Sequence, residues 1–249
     1  MKIVLRNLHK AFGEKVILNG LDLKIHRGES FVVIGPSGVG KTVLLKCLLG
    51  LILPDQGVVM VDGENTTYIQ GKKRQDFLKK FAIVFQGSAL FDSLTIWENV
   101  AFGLINGRHM SRHAAKIRAI ETLERVGLKP QVGEQRPNEL SGGMQKRVAI
   151  ARSIIMEPEI LLFDEPTAGL DPITAELINN LIRQCHNELD MTTFTITHDL
   201  STVHTVADRV GVLNDGRIIW SGELNKMHQS QHPFIQKFIK QQTFGSQNG

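Results

Sequence analysis

Cysteine is scarce in this sequence, whose 249 residues include only Cys47 and Cys185. Two cysteines so far apart along the chain provide neither a disulfide framework nor the closely spaced ligand pairs of a zinc site. We therefore expect both thiols to be small hydrophobic groups of the core, in a protein from a reducing compartment.

Long hydrophobic runs are missing as well. The longest apolar stretch, Leu44 to Leu53, contains Lys46 and is shorter than the roughly 20 residues that cross a bilayer as a helix. The N-terminal residues enter a strand pattern directly and lack the apolar core of a secretory signal. We expect a cytosolic protein, which would need a partner to hold it if it works at a membrane.

Strong charge of either sign is also absent, because 29 Lys and Arg against 25 Asp and Glu give a formal net charge of +4. The basic residues are scattered except for a group at 72–74 and 79–80. Nucleic-acid-binding proteins usually gather positive charge into a stripe, so we interpret this group as a solvated helix face and expect no nucleic-acid partner.

A glycine-rich loop between a predicted strand and a predicted helix is the most informative feature that is present. The apolar run 31–34 precedes it, and the helical pattern 43–49 follows it. The loop consists of Gly35, Pro36, Ser37, Gly38, Val39, Gly40, Lys41 and Thr42. Its spacing lets backbone N–H groups and the positive end of a helix dipole surround phosphate. We predict that Lys41 reaches the outer phosphates of a nucleotide and that Thr42 holds Mg²⁺.

The pattern of elements predicts an α/β fold with an inserted helical part. Strands are expected at 2–9, 16–25, 30–34, 58–61, 81–85, 160–163, 192–197, 209–213 and 217–221. Helical patterns dominate from residue 87, where Thr95 and Glu98 have capping-box spacing. We expect one domain, 1–249, with a core of residues 1–86 and 158–225, a helical subdomain at 87–157, and a C-terminal helix and tail at 226–249.

Polar side chains follow two of the predicted strands. Asp164 and Glu165 end an unbroken apolar run, and His198 ends another strand. Asp164 is suited to hold Mg²⁺ through water and Glu165 to activate the water that attacks the γ-phosphate. The alternatives are a charged strand terminus for the two carboxylates and a structural role for His198, since a single histidine in that position is more often structural.

A second helix start suited to anions occurs at Ser141, Gly142 and Gly143. Their backbone N–H groups offer a phosphate the same kind of contacts as the first loop. One nucleotide has no obvious need of two such loops from one subunit. We therefore expect two copies to meet head to tail, each giving these residues to the ATP held by the other.

Six motifs in this order resemble those of the ATP-binding cassette (ABC) ATPases over nearly the whole chain. They are Walker A at 35–42, the Q-loop at Gln86, the signature at 140–144, Walker B at 160–164 with Glu165, the D-loop at 168–171 and the switch histidine His198. The resemblance implies a RecA-like core with an N-terminal antiparallel β-subdomain and a helical signature subdomain. It also implies an ATP-sandwich dimer and hydrolysis that drives a membrane-embedded partner.

The site residues implied by this resemblance fall into three groups. Glu165, His198 and Gln86 are the catalytic group, and Thr42, Gln86 and Asp164 are the Mg²⁺ group. ATP is bound by residues 35–42, by Ser141, Gly142 and Gly143, and by the ring of Phe12. Phe12 stands where tyrosine is commonest, so stacking on the purine and a packing or surface role stay open for it. Met144 and Ala168-Gly169 also depart from the usual residues, without removing a charged or ligating group.

The segment 85–95 with 97–100, and the later segment 167–173, resemble the ATPases of MCE-type lipid transporters, the family that includes the Mla phospholipid system. This closer resemblance implies phospholipid transport between the inner and outer membranes, powered from the cytoplasmic side of the inner membrane. The implied partners are a permease, a periplasmic MCE protein and a small STAS-domain protein. An apolar stripe at 234–239 suits a C-terminal helix that docks on the second copy or on the small partner; packing on its own domain is the alternative.

Other ABC classes fit less well. DNA-repair and chromosome-organising ATPases have a long coiled coil between Walker A and the signature, whereas about fifty residues of mixed helix separate Gln86 from Ser141. Translation-type factors carry two cassettes, and this chain has a single Walker A. A nucleotide-binding regulator without catalysis would not need both Glu165 and His198. An ATPase of another importer or exporter stays open as an alternative.

Overall fold

The structure, a computed structural model, describes residues 1–227 and 229–245. The chain divides into two compact units, the first formed by Met1–Leu78 with Asp190–Gly249 and the second by Lys79–Leu189. The second unit is larger than the helical subdomain expected at 87–157, since it also includes two strands and a long helix. The predicted boundaries stay a prediction, and residues 228 and 246–249 of the predicted C-terminal segment lie outside the described residues.

The first unit begins with five strands and two helices. These are β1 (Ile3–Phe12), β2 (Lys15–Ile25), β3 (Ser30–Ile34), α1 (Lys41–Leu48), β4 (Gln56–Val61), β5 (Glu64–Asn65) and α2 (Gly71–Leu78). Four of the strands form an antiparallel sheet in the order β2-β1-β4-β5, which confirms the predicted N-terminal β-subdomain. The side chains of Ile3, Leu5 and Leu8 in β1 are buried, as expected of an antiparallel sheet that packs one of its faces against the core.

Besides the 3₁₀ helices Pro130–Glu134 and Pro137–Glu139, the second unit contains two strands and four α-helices. These are β6 (Phe81–Val84), α3 (Ile96–Arg108), α4 (Arg112–Arg125), α5 (Gly142–Ile154), β7 (Ile160–Asp164) and α6 (Pro172–Leu189). Strands β6 and β7 are parallel, with Ala82 opposite Leu161. The capping box that begins α3 is confirmed, because Thr95 and Glu98 exchange their side-chain-to-backbone hydrogen bonds. Helix α6 has Pro172 at its first position, where the ring fits a helix without loss of a hydrogen bond.

The chain then returns to the first unit. The elements are β8 (Thr192–Thr197), α7 (Leu200–Val206), β9 (Arg209–Asn214), β10 (Arg217–Gly222), α8 (Leu224–Met227) and α9 (Pro233–Gly245). Strand β3 lies between β8 and β9 and is parallel to both, while β10 pairs with β9 as an antiparallel hairpin. Every residue of β3 and β8 is buried, so both strands are central, and the ends of parallel central strands are where ligand loops usually lie.

The C-terminal helix α9 carries the predicted apolar stripe. Ile235 and Phe238 are buried within the chain itself, and the rings of Phe234 and Phe238 stack with their centroids 6.1 Å apart. Ile235 and Phe238 therefore pack on their own domain, which is the alternative to docking on a second copy or a small partner.

Both cysteines are buried, Cys47 in α1 and Cys185 in α6. Burial raises the pKa of each thiol to about 11, because a thiolate is poorly solvated away from water. The expectation that they are core groups is confirmed. Among residues 1–227 and 229–245, the helices are too short or too polar for any to cross a membrane.

Candidate functional site

The phosphate loop joins β3 to α1, and its glycines are required by its shape. Gly38 and Gly40 have φ of 79° and 108°, in the left-handed region that L side chains rarely adopt. A Cβ on Gly40 would lie 2.8 Å from Cγ2 of Ile17, and one on Gly35 would lie 2.5 Å from the carbonyl oxygen of Leu213. Neither position accepts a side chain without displacing its neighbour.

Lys41 places its ammonium group against the loop that precedes it. Its Nζ donates hydrogen bonds to the carbonyl oxygens of Gly35 at 2.8 Å and Pro36 at 3.1 Å, and its side chain is buried. Ser37, Gly38 and Thr42 are exposed at the same loop. A buried cation, a helix N-terminus and an open backbone curve form a cradle that fits a phosphate.

Phe12 ends β1 with an exposed ring, since half of its surface is accessible. The neighbouring backbone is fixed, because the N–H of Ala11 donates to the Asp55 carboxylate at 2.7 Å. The Lys10 ammonium lies 5.5 Å from the ring centroid of Phe12. An exposed ring on a fixed strand end fits the predicted stacking role, which stays a prediction.

His198 lies between β8 and α7 with an exposed side chain. The backbone beside it is fixed by Asp199, whose N–H donates to Thr197 Oγ1 at 3.0 Å and whose carboxylate accepts from the N–H of Ser201 at 2.9 Å. Partial burial raises the pKa of Asp199, but the hydrogen bonds from Ser201 and Thr202 outweigh it, and the net pKa is lowered. Asp199 is therefore a charged N-cap that holds the turn carrying His198.

In the second unit, Asp164 and Glu165 mark the end of β7. Asp164 is the last residue of the strand and is buried, whereas Glu165 is partly accessible. Glu165 has a φ of 47°, which places a non-glycine residue in the sparsely populated left-handed region. Such backbone strain persists where the surroundings hold it, often at functional sites. Adjacent carboxylates in such different environments can take different roles.

The signature residues begin α5. Ser141 is its N-cap, and its Oγ accepts from the N–H of Met144 at 3.4 Å. Ser141 and Gly142 are exposed, while a Cβ on Gly143 would lie 2.4 Å from Cγ2 of Thr174. The close approach of α6 thus explains one glycine, and an accessible helix start with its first N–H groups is what an anion requires.

Sequence reasoning missed Lys146, which lies in α5 with its side chain buried. Its Nζ donates to the carbonyl oxygen of Phe85 at 2.9 Å and to that of Gln86. Burial lowers the pKa of Lys146 to about 8, while the Asp164 carboxylate acts in the opposite direction. Two residues of the predicted Mg²⁺ group, Gln86 and Asp164, therefore share Lys146 as a neighbour.

A signal for Lys146 was present in the sequence. Gly143, Lys146 and Ile150 have the spacing of one helix face, and that face is buried in the structure. A lysine on an otherwise apolar face indicates an ammonium with specific partners inside the protein.

The predicted residues lie in both units. Phe12, the loop 35–42 and His198 belong to the first unit, whereas Gln86, 141–143, Asp164 and Glu165 belong to the second. Within the second unit, Gln86 follows β6 with an exposed side chain and α5 holds its backbone.

Comparison with known proteins identifies the family. Residues 18–168 match the model of the ABC transporter family. The protein TRIGALACTOSYLDIACYLGLYCEROL 3 of Arabidopsis thaliana, a chloroplastic protein, is 42% identical over 94% of this chain and 72% of its own length. The intermembrane phospholipid transport system ATP-binding protein MlaF of Haemophilus influenzae is 33% identical over 98% of this chain and 92% of its own. An importer subunit also matches: the methionine import ATP-binding protein MetN of Carboxydothermus hydrogenoformans, at 38% over 95% of this chain and 71% of its own.

A solved structure agrees with these relatives. The ATP-binding cassette MJ0796, in a dimeric post-hydrolysis state bound to ADP and Pi, is 34% identical, covers 89% of this chain and 98% of its own, and superposes with a TM-score of 0.80. The predicted fold class is confirmed. The chain therefore belongs to the ABC transporter family, as the ATPase subunit of a transporter, and uses ATP with Mg²⁺.

Proposed function

We propose that this ATPase powers the movement of phospholipid between the inner and outer membranes, as part of an MCE-type transporter. The observation that carries the proposal is the similarity to MlaF, a phospholipid transport protein by its name, which extends over 98% of this chain. The plant relative named above also bears the name of a glycerolipid and is 42% identical. The motifs at 85–95 and 167–173 support the same assignment.

For ATP binding, the proposed residues are those of the loop 35–42. The Lys41 ammonium neutralises the outer phosphates, and the backbone N–H groups of the loop hold the phosphate chain. Phe12 stacks on the purine. Mg²⁺ is held by Thr42, Gln86 and Asp164, and when bound it neutralises charge that develops on the phosphate oxygens.

For hydrolysis, Glu165 takes the role of general base toward the attacking water, and His198 orients that water by a hydrogen bond. The left-handed backbone of Glu165 supports its role, because the strain fixes the direction in which the carboxylate leaves the strand. The fixed turn at Thr197 and Asp199 supports a fixed imidazole.

The active form in this proposal is a pair of copies. Each copy gives the exposed helix start at Ser141, Gly142 and Gly143 to the ATP held by the phosphate loop of the other. The dimeric state of MJ0796 supports this arrangement. It also explains why one chain has two helix starts suited to phosphate.

Residues 87–105 are the proposed contact with the permease. Phe91 and Phe102 in this segment are both exposed, and their rings touch with centroids 4.7 Å apart. Aromatic side chains, phenylalanine included, are enriched at protein interfaces. Crosslinks from the permease that fall only on other parts of the chain would contradict this assignment.

The remaining partners in the proposal are a periplasmic MCE protein and a small STAS-domain protein. The ATPase is peripheral, on the cytoplasmic side of the inner membrane, and the permease holds it there. An ATPase of another importer is the second candidate, favoured by the 38% identity to MetN.

Affinity purification of the chain from its native membrane in mild detergent separates a phospholipid transporter from another importer. Mass spectrometry identifies the proteins and lipids recovered. A permease together with an MCE protein and phospholipid supports the proposal. A different permease with a solute-binding protein removes the lipid assignment. Recovery of only soluble or nucleic-acid partners contradicts membrane transport altogether.

A further inference from the structure

Three side chains of α5 hold the backbone of residues 85–89, here called the Gln86 segment, and the end of strand β6 before it. Lys146 Nζ donates to the carbonyl oxygens of Phe85 and Gln86. Arg152 donates from Nη2 to Ser88 O at 2.9 Å and from Nη1 to Ala89 O at 2.7 Å. Ser153 Oγ shares its one hydroxyl proton between Ala149 O of its own helix at 2.9 Å and Ile83 O at 3.3 Å. One helix thus contacts five of the seven backbone carbonyl groups between Ile83 and Ala89.

The Gln86 segment has a shape that needs such support. Ser88 and Ala89 have φ of 61° and 50°, and two consecutive non-glycine residues in the left-handed region are unfavourable unless the surroundings hold them. The two carbonyl groups held by Arg152 are those of these two residues. The Arg152 guanidinium also lies 5.9 Å from the ring centroid of Phe91, which extends the contact to the next residues of the loop.

The N-terminal end of α5 carries the signature. The helix begins directly after Ser141 and has no proline within it, so Lys146 and Arg152 are connected to Gly142 by an unbroken helix. At about 1.5 Å per residue, Lys146 lies ~6 Å and Arg152 ~15 Å along the axis from the helix start. The continuous hydrogen-bonded backbone of the helix links the position of the Gln86 segment to that of the signature.

From these contacts we propose that Lys146 and Arg152 are positioning residues for ATP hydrolysis. They fix the Gln86 segment to the signature helix, so that the Gln86 side chain and the Ser141 helix start keep a defined relative position. The inference rests on the proposed roles of Gln86 and Ser141. Lys146 and Arg152 act through the backbone of the Gln86 segment and do not contact ATP themselves.

The first test uses the nucleotide-free chain and hydrogen–deuterium exchange of its backbone amides. Lys146→Met and Arg152→Gln are expected to increase exchange across residues 85–92, because the carbonyl groups that fix this loop lose their donors. Lys129→Met is the matched control, since Lys129 is an exposed lysine of the same unit. Exchange in residues 85–92 that stays at the wild-type level in both variants would overturn the proposal.

The second test uses the complete transporter complex and a double-mutant cycle between Lys146 and Gln86. Lys146→Met is expected to lower kcat by roughly 10–100-fold, the cost of misplacing a catalytic group by about an ångström. The KM for ATP should change by less than about twofold, because uniform substrate binding is not affected. The Mg²⁺ concentration for half-maximal rate should rise roughly 10-fold, as expected when a neighbour of a metal ligand is lost.

In the Gln86→Ala background, Lys146→Met should cause little further loss, because the two residues act through one another. Lys146→Arg, which keeps a cationic donor, should recover most of the wild-type rate. Fully additive losses, or a Lys146→Met complex with wild-type kcat and Mg²⁺ dependence, would overturn the proposal. If thermal unfolding shows that Lys146→Met does not fold, Lys146→Gln and Arg152→Gln replace it with the same expectations.

The positioning role of Lys146 and Arg152 can fail or hold independently of the proposed phospholipid cargo. A wild-type complex that hydrolyses ATP but carries no phospholipid removes the lipid assignment. The exchange and kinetic results still decide the positioning role, since none of these measurements depends on the cargo.

Discussion

The side-chain amide of Asn99 forms two hydrogen bonds with the backbone of Phe91, one as acceptor and one as donor. Its Oδ1 accepts from the N–H of Phe91 at 2.7 Å and its Nδ2 donates to the carbonyl oxygen of Phe91 at 3.0 Å. Asn99 is fully buried in α3. The loop proposed to contact the permease is thereby attached to the helical part of its unit by one amide side chain.

Asn99→Ala should destabilise the protein, because the paired N–H and carbonyl groups of Phe91 lose their partner. Each buried polar group left unpaired costs about 1–3 kcal/mol. Urea unfolding measures the loss of the free energy of unfolding. The matched control is Asn106→Ala in the same helix, whose amide is exposed and donates to Phe102 O, and it should change stability by less than about 0.5 kcal/mol. Equal effects of the two substitutions would contradict the role of Asn99.

Lys41→Met should weaken ATP binding while leaving the fold intact. A hydrogen bond to a charged group contributes about 1.5–3 kcal/mol, which corresponds to a roughly 10–150-fold higher Kd. Lys46→Met is the control, because Lys46 is an exposed lysine of the same helix α1. Titration with a fluorescent ATP analogue measures the Kd of both variants. An unchanged Kd in Lys41→Met would remove this lysine from the phosphate site.

Glu165→Gln should keep ATP binding and slow turnover by roughly 10²–10⁴-fold, the usual contribution of a general base. The amide keeps the size and the hydrogen-bonding capacity of the side chain but cannot take a proton. Glu176→Gln on the exposed face of α6 is the control. Steady-state phosphate release gives the rates, and near-normal hydrolysis in Glu165→Gln would exclude the base role.

Ser141→Arg should abolish hydrolysis although a single subunit still binds nucleotide. The substitution puts a large cation at the helix start that is proposed to contact the ATP of the other copy. Phosphate release and nucleotide binding, measured on the same preparation, separate the two effects. A variant that hydrolysed ATP normally as a monomer would contradict the paired arrangement.

The thiols of Cys47 and Cys185 should react slowly with iodoacetamide in the folded protein. Their pKa values are raised to about 11 by burial, so at pH 8 the reactive thiolate is roughly 100-fold rarer than for a thiol of pKa near 9. Raising the pH toward 11 should increase the rate, and unfolding in urea should increase it further. Rapid labelling of the folded protein at pH 8 would show that these side chains are accessible.

Most elements could be predicted from the sequence because their signals are local. Helix α6 begins at Pro172 and strand β8 spans Thr192–Thr197, as expected from a proline at the first helical position and a run bounded by polar residues. Helix α1 begins at Lys41, two residues before the predicted apolar pattern, because the phosphate loop itself supplies its first turn.

The contacts of α5 could not be predicted in the same way. The spacing of Lys146 indicates a buried ammonium, but its acceptors lie about 60 residues earlier in the chain, and only the packed structure brings them together. The left-handed backbone of Ser88 and Ala89 could not be predicted either, because neither residue is a glycine or an asparagine, the types that favour this conformation.

The most direct test of the central claim is ATP-dependent phospholipid transfer by the native complex, reconstituted between donor and acceptor vesicles that differ in a labelled phospholipid. We predict transfer that requires ATP and Mg²⁺ with the wild-type chain and that falls to background with Glu165→Gln, although the variant complex still binds ATP. Transfer that proceeds equally with Glu165→Gln, or a wild-type complex that hydrolyses ATP without moving phospholipid, would contradict the account.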